Sequence, residues 1–567
     1  MRIKLCLFAI LILGACLRFY NLNWDSGHML HPDERAIVAS VDKLKLPTTV
    51  SEFMSPQSTW NPHFFAYGSF PMYLLTVTRE ALSNFNPAFS QYDYLTLIGR
   101  VLSALADLFS VLLIYKIASK LFNRQTGLIS AFFYAVSVLP IQLSHFFAVD
   151  TLLTSFVLAT LYNLLRFYEK PNTKTALTVG FFFGLALATK ISAIVLISSL
   201  GLTLTADFIL IFLKKPHKPA HWLPHLPSFL KHLIKYASVI ILATALTFII
   251  FEPYALIDSS NFWLQTIQQS ALTSNPFYFP YTLQFVGKIP YIYEFKNIFF
   301  WGLGPIIATL SFSGFIYFGY LTFNKEKSSQ FAKELIILVF FLIYIFIVGR
   351  FAVGFMRYML PVYPLFCLFG AVLMHKLILV LNRHVKSKSI LYTLYFILYT
   401  SFLIWPLSFI QIYSRPNTRV TASNWIFANI PYSKTLAVEH WDDQLPIGQA
   451  AGYNTQTLKL YDPDTAEKWS EINAQLKQTD YIIIASNRLY TPLQKLTDCQ
   501  KLPSYRCYPI TATYYKNLFW GKLNFQQVAE FTSFPTIPIL NIPINDQPAD
   551  ENFTVFDHPK IMIFQKK

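Results

Sequence analysis

The sequence predicts an all-α polytopic membrane bundle of about eleven transmembrane helices, followed by a soluble α/β domain at the C-terminus. Composition is the first reason: of 567 residues, 54% are hydrophobic, 17% aromatic and only 13% charged, where a soluble domain carries roughly 25% charge. Charge placement is the second. The net charge is +16, yet residues 412–567 hold 15 Lys/Arg against 14 Asp/Glu, so nearly all the basic surplus belongs to the first 411 residues. A basic surplus on a membrane region is a topology signal, and no DNA- or RNA-binding motif accompanies it, so no nucleic-acid partner is expected. The third is a change of pattern near 411, from long apolar runs to short strand-like ones.

Apolar stretches long enough to span begin at 3–19, preceded by Arg2 and Lys4. No clear small-residue cleavage site follows, so this reads as an uncleaved first helix. Further spans are expected near 97–119, 126–143, 149–168, 175–191, 192–213, 236–256, 298–321, 335–350, 358–380 and 390–411. The cations Lys120 and Arg124, then Arg166, Lys170 and Lys174, then Lys214, Lys215, Lys218, Lys231 and Lys235 occupy alternate loops. Lys325, Lys327 and Lys333, and Lys376, Arg383, Lys386 and Lys388, continue the series. All fall on the side of the N-terminus, which the positive-inside rule makes cytoplasmic. With an odd number of spans the C-terminal domain is extracytoplasmic. The run 64–82 is a weaker candidate span. It carries Gly68, Pro71, Arg79 and Glu80, and a twelfth helix would reverse the topology, so an interfacial helix is expected there.

Two domains are therefore expected: a transmembrane domain over 1–411, including an outer loop over 20–96, and an extracytoplasmic α/β domain over 412–567. The second has strand-like runs at 435–438, 481–485 and 560–564, and amphipathic helices near 419–429 and 465–478. Cys499 and Cys507 lie in it eight residues apart and are able to pair if the compartment is oxidising. Cys6, Cys16 and Cys367 read as small apolar-segment residues.

The chemistry is expected at the outer ends of the helices. Asp33 and Glu34, in His31-Pro32-Asp33-Glu34-Arg35, follow the first span directly. Arg35, Arg100, His145, Asp150, Lys190, Glu252, Arg350 and Arg357 are expected at the same depth. Carboxylates gain little by snorkelling, so acids at a bilayer surface point to a site. Cations beside them suit an anionic phosphate, and a positioned carboxylate suits deprotonation of a hydroxyl. The loop Glu439-His440-Trp441-Asp442-Asp443 reads first as solvated, with contact to the acceptor or a metal as the alternative. Asp557-His558 before Pro559 reads equally well as turn chemistry or as a functional pair, and 215–232 reads as a basic loop.

Several segments together resemble a known family. They are Ile98-Gly99-Arg100-Val101-Leu102-Ser103-Ala104-Leu105, His145-Phe146-Phe147-Ala148-Val149-Asp150-Thr151-Leu152-Leu153-Thr154, Gly184-Leu185-Ala186-Leu187-Ala188-Thr189-Lys190 and Arg357-Tyr358-Met359-Leu360-Pro361-Val362-Tyr363-Pro364. Following an outer-loop Asp-Glu, they resemble the GT-C glycosyltransferases related to protein O-mannosyltransferases and to the lipid A aminoarabinose transferase. The resemblance covers about 1–410, and Trp441-Asp442-Asp443-Gln444-Leu445-Pro446 and Phe556-Asp557-His558-Pro559 extend it into the tail.

It implies inverting transfer of a hexose or pentose from a polyprenyl-phosphate donor to a hydroxyl of a protein or glycolipid acceptor, in contact with membrane lipid. Asp33, with its neighbour Glu34, matches the first-loop acid at the reaction centre, and Asp150 the second acid. Arg357 matches a late-helix arginine that binds donor phosphate, with Arg100 and Lys190 facing the same group. The aminoarabinose transferase has a Lys-Pro-Pro-type signature in the interfacial segment, whereas this chain reads Tyr67-Gly68-Ser69-Phe70-Pro71-Met72-Tyr73. Either His63 or Arg100 substitutes for that lysine, or the phosphate sits differently. No cofactor is expected to be obligatory; a divalent cation remains an option that acids and His63 or His145 would hold. The rival class, a polytopic transporter or lipid flippase, places charges at the midplane of two repeated halves, and no repeat is evident.

Overall fold

A computed structural model describes residues 2–214, 219–324, 328–448 and 452–567. Of the loop cations, Lys215, Lys218, Lys325 and Lys327 lie outside them. The bundle comprises α1 (Arg2–Phe19), α2 (Pro32–Lys43), α3 (Phe70–Ser83), α4 (Tyr92–Leu121), α5 (Arg124–Ala135), α6 (Val138–Ser144), α7 (Asp150–Glu169) and α8 (Thr173–Thr189). It continues with α9 (Leu196–Lys214), α10 (Leu226–Phe251), α11 (Ser259–Ser274), α12 (Pro305–Phe323), α13 (Ser329–Val348), α14 (Tyr363–His384) and α15 (Lys388–Ile410).

Each of the eleven expected spans is helical, but length and apolarity do not confirm all eleven as crossings. Among the described residues seven helices are long and apolar enough to cross a membrane, namely α4, α9, α10 and α12 to α15, or eight if the pair α5 and α6 is one span bent by 58°. The shortfall has local causes. Helix α1 carries Arg2, Lys4 and Arg18; α7 is diluted by Asp150, Asn163 and Arg166; α8 has 17 residues. These helices are nonetheless packed. Arg18, fully buried, donates to Asp107 of α4 at 2.6 Å and to the Ala135 carbonyl at 2.8 Å, so its charge is neutralised inside the bundle. The doubtful stretch 64–82 contains α3, which at 14 residues is too short to cross and packs on α2, α4 and α8.

The C-terminal part is an α/β sandwich. Strands β1 (Thr435–Glu439), β2 (Asn454–Leu458), β3 (Tyr481–Ile484), β4 (Phe525–Phe531) and β7 (Ile561–Lys566) form a sheet in the order β2-β1-β3-β7-β4. Pairs β1/β2 and β1/β3 are parallel; β7 is antiparallel to β3 and β4. Two-residue periodicity sorts the side chains. Leu436, Val438, Ile483, Ile561 and Ile563 pack on α16 (Thr418–Asn429) through Ala422 and Ile426. Ala437, Ile482, Ile484, Met562 and Phe564 face α17 (Ala466–Gln478) and α18 (Pro509–Phe519). Strands β5 (Thr536–Ile537) and β6 (Ile542–Pro543) make a separate hairpin. Cys499 and Cys507 are disulfide-bonded, with Cα atoms 5.4 Å apart.

Sheet domain and bundle share one apolar core, because Phe553, Val555 and Phe556 belong to the bundle's cluster. Asp557-His558 is not surface turn chemistry. His558 is buried between Asp557 (2.5 Å) and Asp546 (2.7 Å), and Asp557 accepts from Gln142 of α6 and from Tyr413, both at 2.9 Å.

Candidate active site

Asp33 is set by the start of α2. Pro32 occupies the first helical turn, where its missing N–H costs nothing, and acids there complement the helix dipole. Successive helical residues point about 100° apart, and this separates the acid pair. Asp33 is turned toward a cavity of about 920 Å³, while Glu34 is turned into the core.

Glu34 and Arg100 are therefore corrected as cavity groups. Both are fully buried, and neither lines the cavity. Arg100 spends its donors on Glu34 (2.8 and 2.6 Å), Asp25 (3.0 and 2.6 Å) and the Leu22 carbonyl (2.6 Å), and its guanidinium lies 4.9 Å from the Trp24 ring. Glu34 also accepts from the Phe147 N–H at 3.0 Å. A guanidinium so saturated has no donor left for a phosphate. His145 is likewise internal, held between the carbonyls of Ile141 and Tyr20 and stacked on Tyr413. His63 is half exposed, sits 3.6 Å from Asp258 and is not in the cavity wall; Arg350 is exposed and outside it.

The remaining predicted groups converge. Asp33 is ion-paired with Arg357, and Lys190 with Asp150 at 2.9 Å. Tyr358 joins the two pairs: the Lys190 ammonium lies 4.7 Å and the Arg357 guanidinium 5.9 Å from its ring centre. Asp33, Lys190, Arg357 and Tyr358 line the cavity, whereas Asp150 stands behind Lys190, 2% exposed. Lys190 reaches this place because α8 ends there, in extended backbone. Its cation sits at a helix C-terminus, where the dipole favours it. Tyr67 packs beside Lys190 (5.9 Å) because Gly68 bonds to the Thr189 carbonyl at 3.0 Å; a Cβ at Gly68 would stand 1.9 Å from the Ala188 oxygen. Glu252, at the end of α10, closes this wall by accepting from both the N–H and the hydroxyl of Ser69.

The opposite wall comes from the sheet domain. Trp441, Asp442, Asp443 and Arg488 all line the cavity, so the 439–443 loop is not simply solvated. Arg35 reaches across from α2 to Asp443 at 2.8 Å, and Arg419 holds Asp442 at 3.0 Å. Burial opposes ionisation of Asp443, but the Arg419 and Arg35 cations outweigh it and hold its carboxyl below the usual range. Arg488 pairs with Glu551 at 2.7 Å. Arg488 went unnoticed in the sequence, although a signal existed. Its loop and the Trp441 loop follow the C-terminal ends of β3 and β1, adjacent parallel strands, where open α/β sheets place their ligands. A third, apolar wall comes from Ile191, Ile194, Phe248, Ile347 and Phe351.

Among the described residues no group of three or more His, Cys, Asp or Glu converges as a metal site would require. The arrangement thus offers a carboxylate and two cations in one cleft, with an apolar flank on one side and a polar domain on the other.

The comparisons agree with this architecture. The family model described as dolichyl-phosphate-mannose-protein mannosyltransferase matches residues 96–230, the segment that carries Asp150 and Lys190. No curated protein sequence matches the chain. The apo oligosaccharyltransferase of Archaeoglobus fulgidus superimposes with a TM-score of 0.55 at 13% identity, covering 96% of this chain and 75% of the other. The same enzyme tethered to an acceptor peptide containing the NVT sequon gives 0.50 at 13% identity, with 96% and 75% covered. ArnT from Cupriavidus metallidurans bound to undecaprenyl phosphate gives 0.44 at 11% identity, with 87% and 94% covered. This chain is a multi-pass membrane protein with the fold of the GT-C glycosyltransferases.

Proposed function

We propose that the protein transfers one sugar from a polyprenyl phosphate to a hydroxyl of a protein or glycolipid acceptor, on the non-cytoplasmic side of the membrane. The observation that carries this reading is the convergence of Asp33, Arg357 and Lys190 in a cavity of about 920 Å³ that has one apolar wall and one built by the sheet domain. The apolar wall suits a polyprenyl chain. Arg357 and Lys190 suit the donor phosphate, as charge-assisted donors in a site partly screened from water.

In this mechanism the acceptor hydroxyl approaches Asp33 opposite the phosphate. Its oxygen attacks the anomeric carbon as Asp33 takes the proton, and the bond from that carbon to the phosphate oxygen breaks. Polyprenyl phosphate leaves as an anion held by Arg357 and Lys190, and the configuration inverts. Asp150 keeps Lys190 aimed at the cleft. Trp441, Asp443 and Arg488 form the acceptor side. Polyprenyl phosphate is a good leaving group, so the enzyme mainly needs a base and a charge clamp. The N-terminus is assigned to the cytoplasm and the sheet domain to the outside, a placement supported by the loop cations and compatible with the Cys499–Cys507 disulfide.

The test is direct. Purified protein in phosphatidylglycerol-containing vesicles is given radiolabelled polyprenyl-phosphate mannose, and then other polyprenyl-phosphate sugars, with peptide or glycolipid hydroxyl acceptors. Transferred sugar of inverted anomeric configuration, formed in the presence of EDTA, is expected. Label that crosses the vesicle membrane with no product formed would instead mark a carrier and overturn the reading.

A further inference from the structure

The β5–β6 hairpin stands outside the site and has no part in the chemistry. Residues 531–545, which contain it, carry no charged side chain. At its tip Ile539 is 96% and Leu540 65% exposed, and Ile542 beside them is half exposed. Ile539 also has φ +68°, a conformation rare for a β-branched residue. Strain spent on presenting an apolar side chain to the surroundings asks for something that receives it.

Part of the finger's backbone is satisfied without water. Pro535, Pro538 and Pro543 have no N–H to satisfy. The N–H groups of Leu540, Asn541 and Ile544 are bonded within the finger, to Pro538 (2.7 Å), Ile537 (3.0 Å) and Pro535 (2.7 Å). Its location is defined as well. Strand β5 packs against α15, the last apolar span, whose Ile404 and Leu407 are exposed. At the finger's root Arg415, just past the end of α15, donates to the Phe534 carbonyl (3.3 Å) and to the Thr536 hydroxyl (3.0 Å). A basic residue at the end of a span marks headgroup depth. The finger that carries the apolar tip is thus seated on a span with exposed apolar side chains.

We propose that the Ile539–Leu540 tip inserts into the bilayer leaflet at the end of α15 and tethers the sheet domain over the cavity. The link to the cavity is covalent and short. Asp546, just after the finger, holds His558 in the segment that also carries the cavity residues Asn552 and Phe556.

The experiment uses the full chain in phosphatidylethanolamine/phosphatidylglycerol vesicles, with Cys6 and Cys16 changed to Ser. An environment-sensitive fluorophore is attached at Ile539→Cys, and in a control at the exposed helix position Glu471→Cys. The Ile539 probe is expected to shift to the blue, lose quenching by iodide and gain quenching by doxyl-labelled lipid, while the control does none of these. Ile539→Ser/Leu540→Ser, which removes no buried contact, is expected to speed protease clipping of the sheet domain in vesicles. An Ile539 probe that behaves like the control overturns the proposal. So does one shielded from iodide but not quenched by doxyl lipid, with cross-links between copies, which would assign the tip to a second copy of the chain.

Discussion

Replacing Asp33 by Asn tests the centre of the mechanism, because the amide keeps the shape of the side chain and removes only its basicity. A positioned general base contributes about 10²–10⁴ in rate, or ~3–5.5 kcal/mol of transition-state stabilisation. The structure adds a second expectation. Asp33 is the ion-pair partner of Arg357, so in Asp33→Asn the guanidinium is freed toward the cavity. Donor phosphate then meets a less neutralised cation, and the donor KM is expected to stay level or fall while kcat drops. Folding should survive, since the pair is partly exposed, with 15% and 19% of the two side chains accessible, and its loss is expected to cost no more than ~3 kcal/mol. Steady-state transfer in vesicles gives kcat and KM separately; size-exclusion profile and thermal midpoint report the fold. A kcat loss of less than about tenfold in well-folded protein, or a loss confined to KM, would refute the assignment of Asp33 as base.

Lys190→Met is expected to raise donor KM by about 10–100-fold, the worth of a charge-assisted hydrogen bond. Adding Asp150→Asn should restore stability but not donor affinity, and recovery of affinity would show that Lys190 serves only Asp150. Arg100→Met should leave Glu34 and Asp25 as uncompensated buried acids and cost ~3–5 kcal/mol of stability. Normal thermal stability with a raised donor KM would instead return Arg100 to the phosphate. His558 gives a pH signature: burial alone would depress it, but Asp557 and Asp546 push it up to about 10, above an unfolded value of about 6.5. Its stabilising contribution is complete below about pH 6.5 and fades as pH rises toward about 10, because the folded state there binds the extra proton. His558→Gln should flatten the fall in thermal midpoint over that window; an unchanged profile would sink the ion-pair account.

What was legible in the chain depended on how local the physics is. Apolar run length and loop cations do not depend on distant contacts, so helical membrane class, helix positions and the strand runs of the sheet domain could be read directly. The sequence also singled out Asp33, Lys190 and Arg357 as ionisable groups at helix ends, and the fold places all three at the cavity. The number of apolar spans was less legible, because α8 is short and α1 and α7 keep polar residues, of which Arg18 is neutralised by Asp107 from a distant helix.

Pairing was decided by tertiary structure alone. Nothing local distinguishes Arg100 from Arg357; both are arginines expected near a helix end. One is consumed by Asp25 and Glu34 inside the core, and the other stands beside Asp33 at the cavity. The adjacent acids Asp33 and Glu34 have opposite fates because a helix turns about 100° per residue, and only the packing of α2 decides which of the two faces is wet. The sheet domain's contribution through Trp441, Asp443 and Arg488 likewise needed the docking of β1 and β3 loops onto α2, a juxtaposition of segments about 400 residues apart that no local pattern encodes.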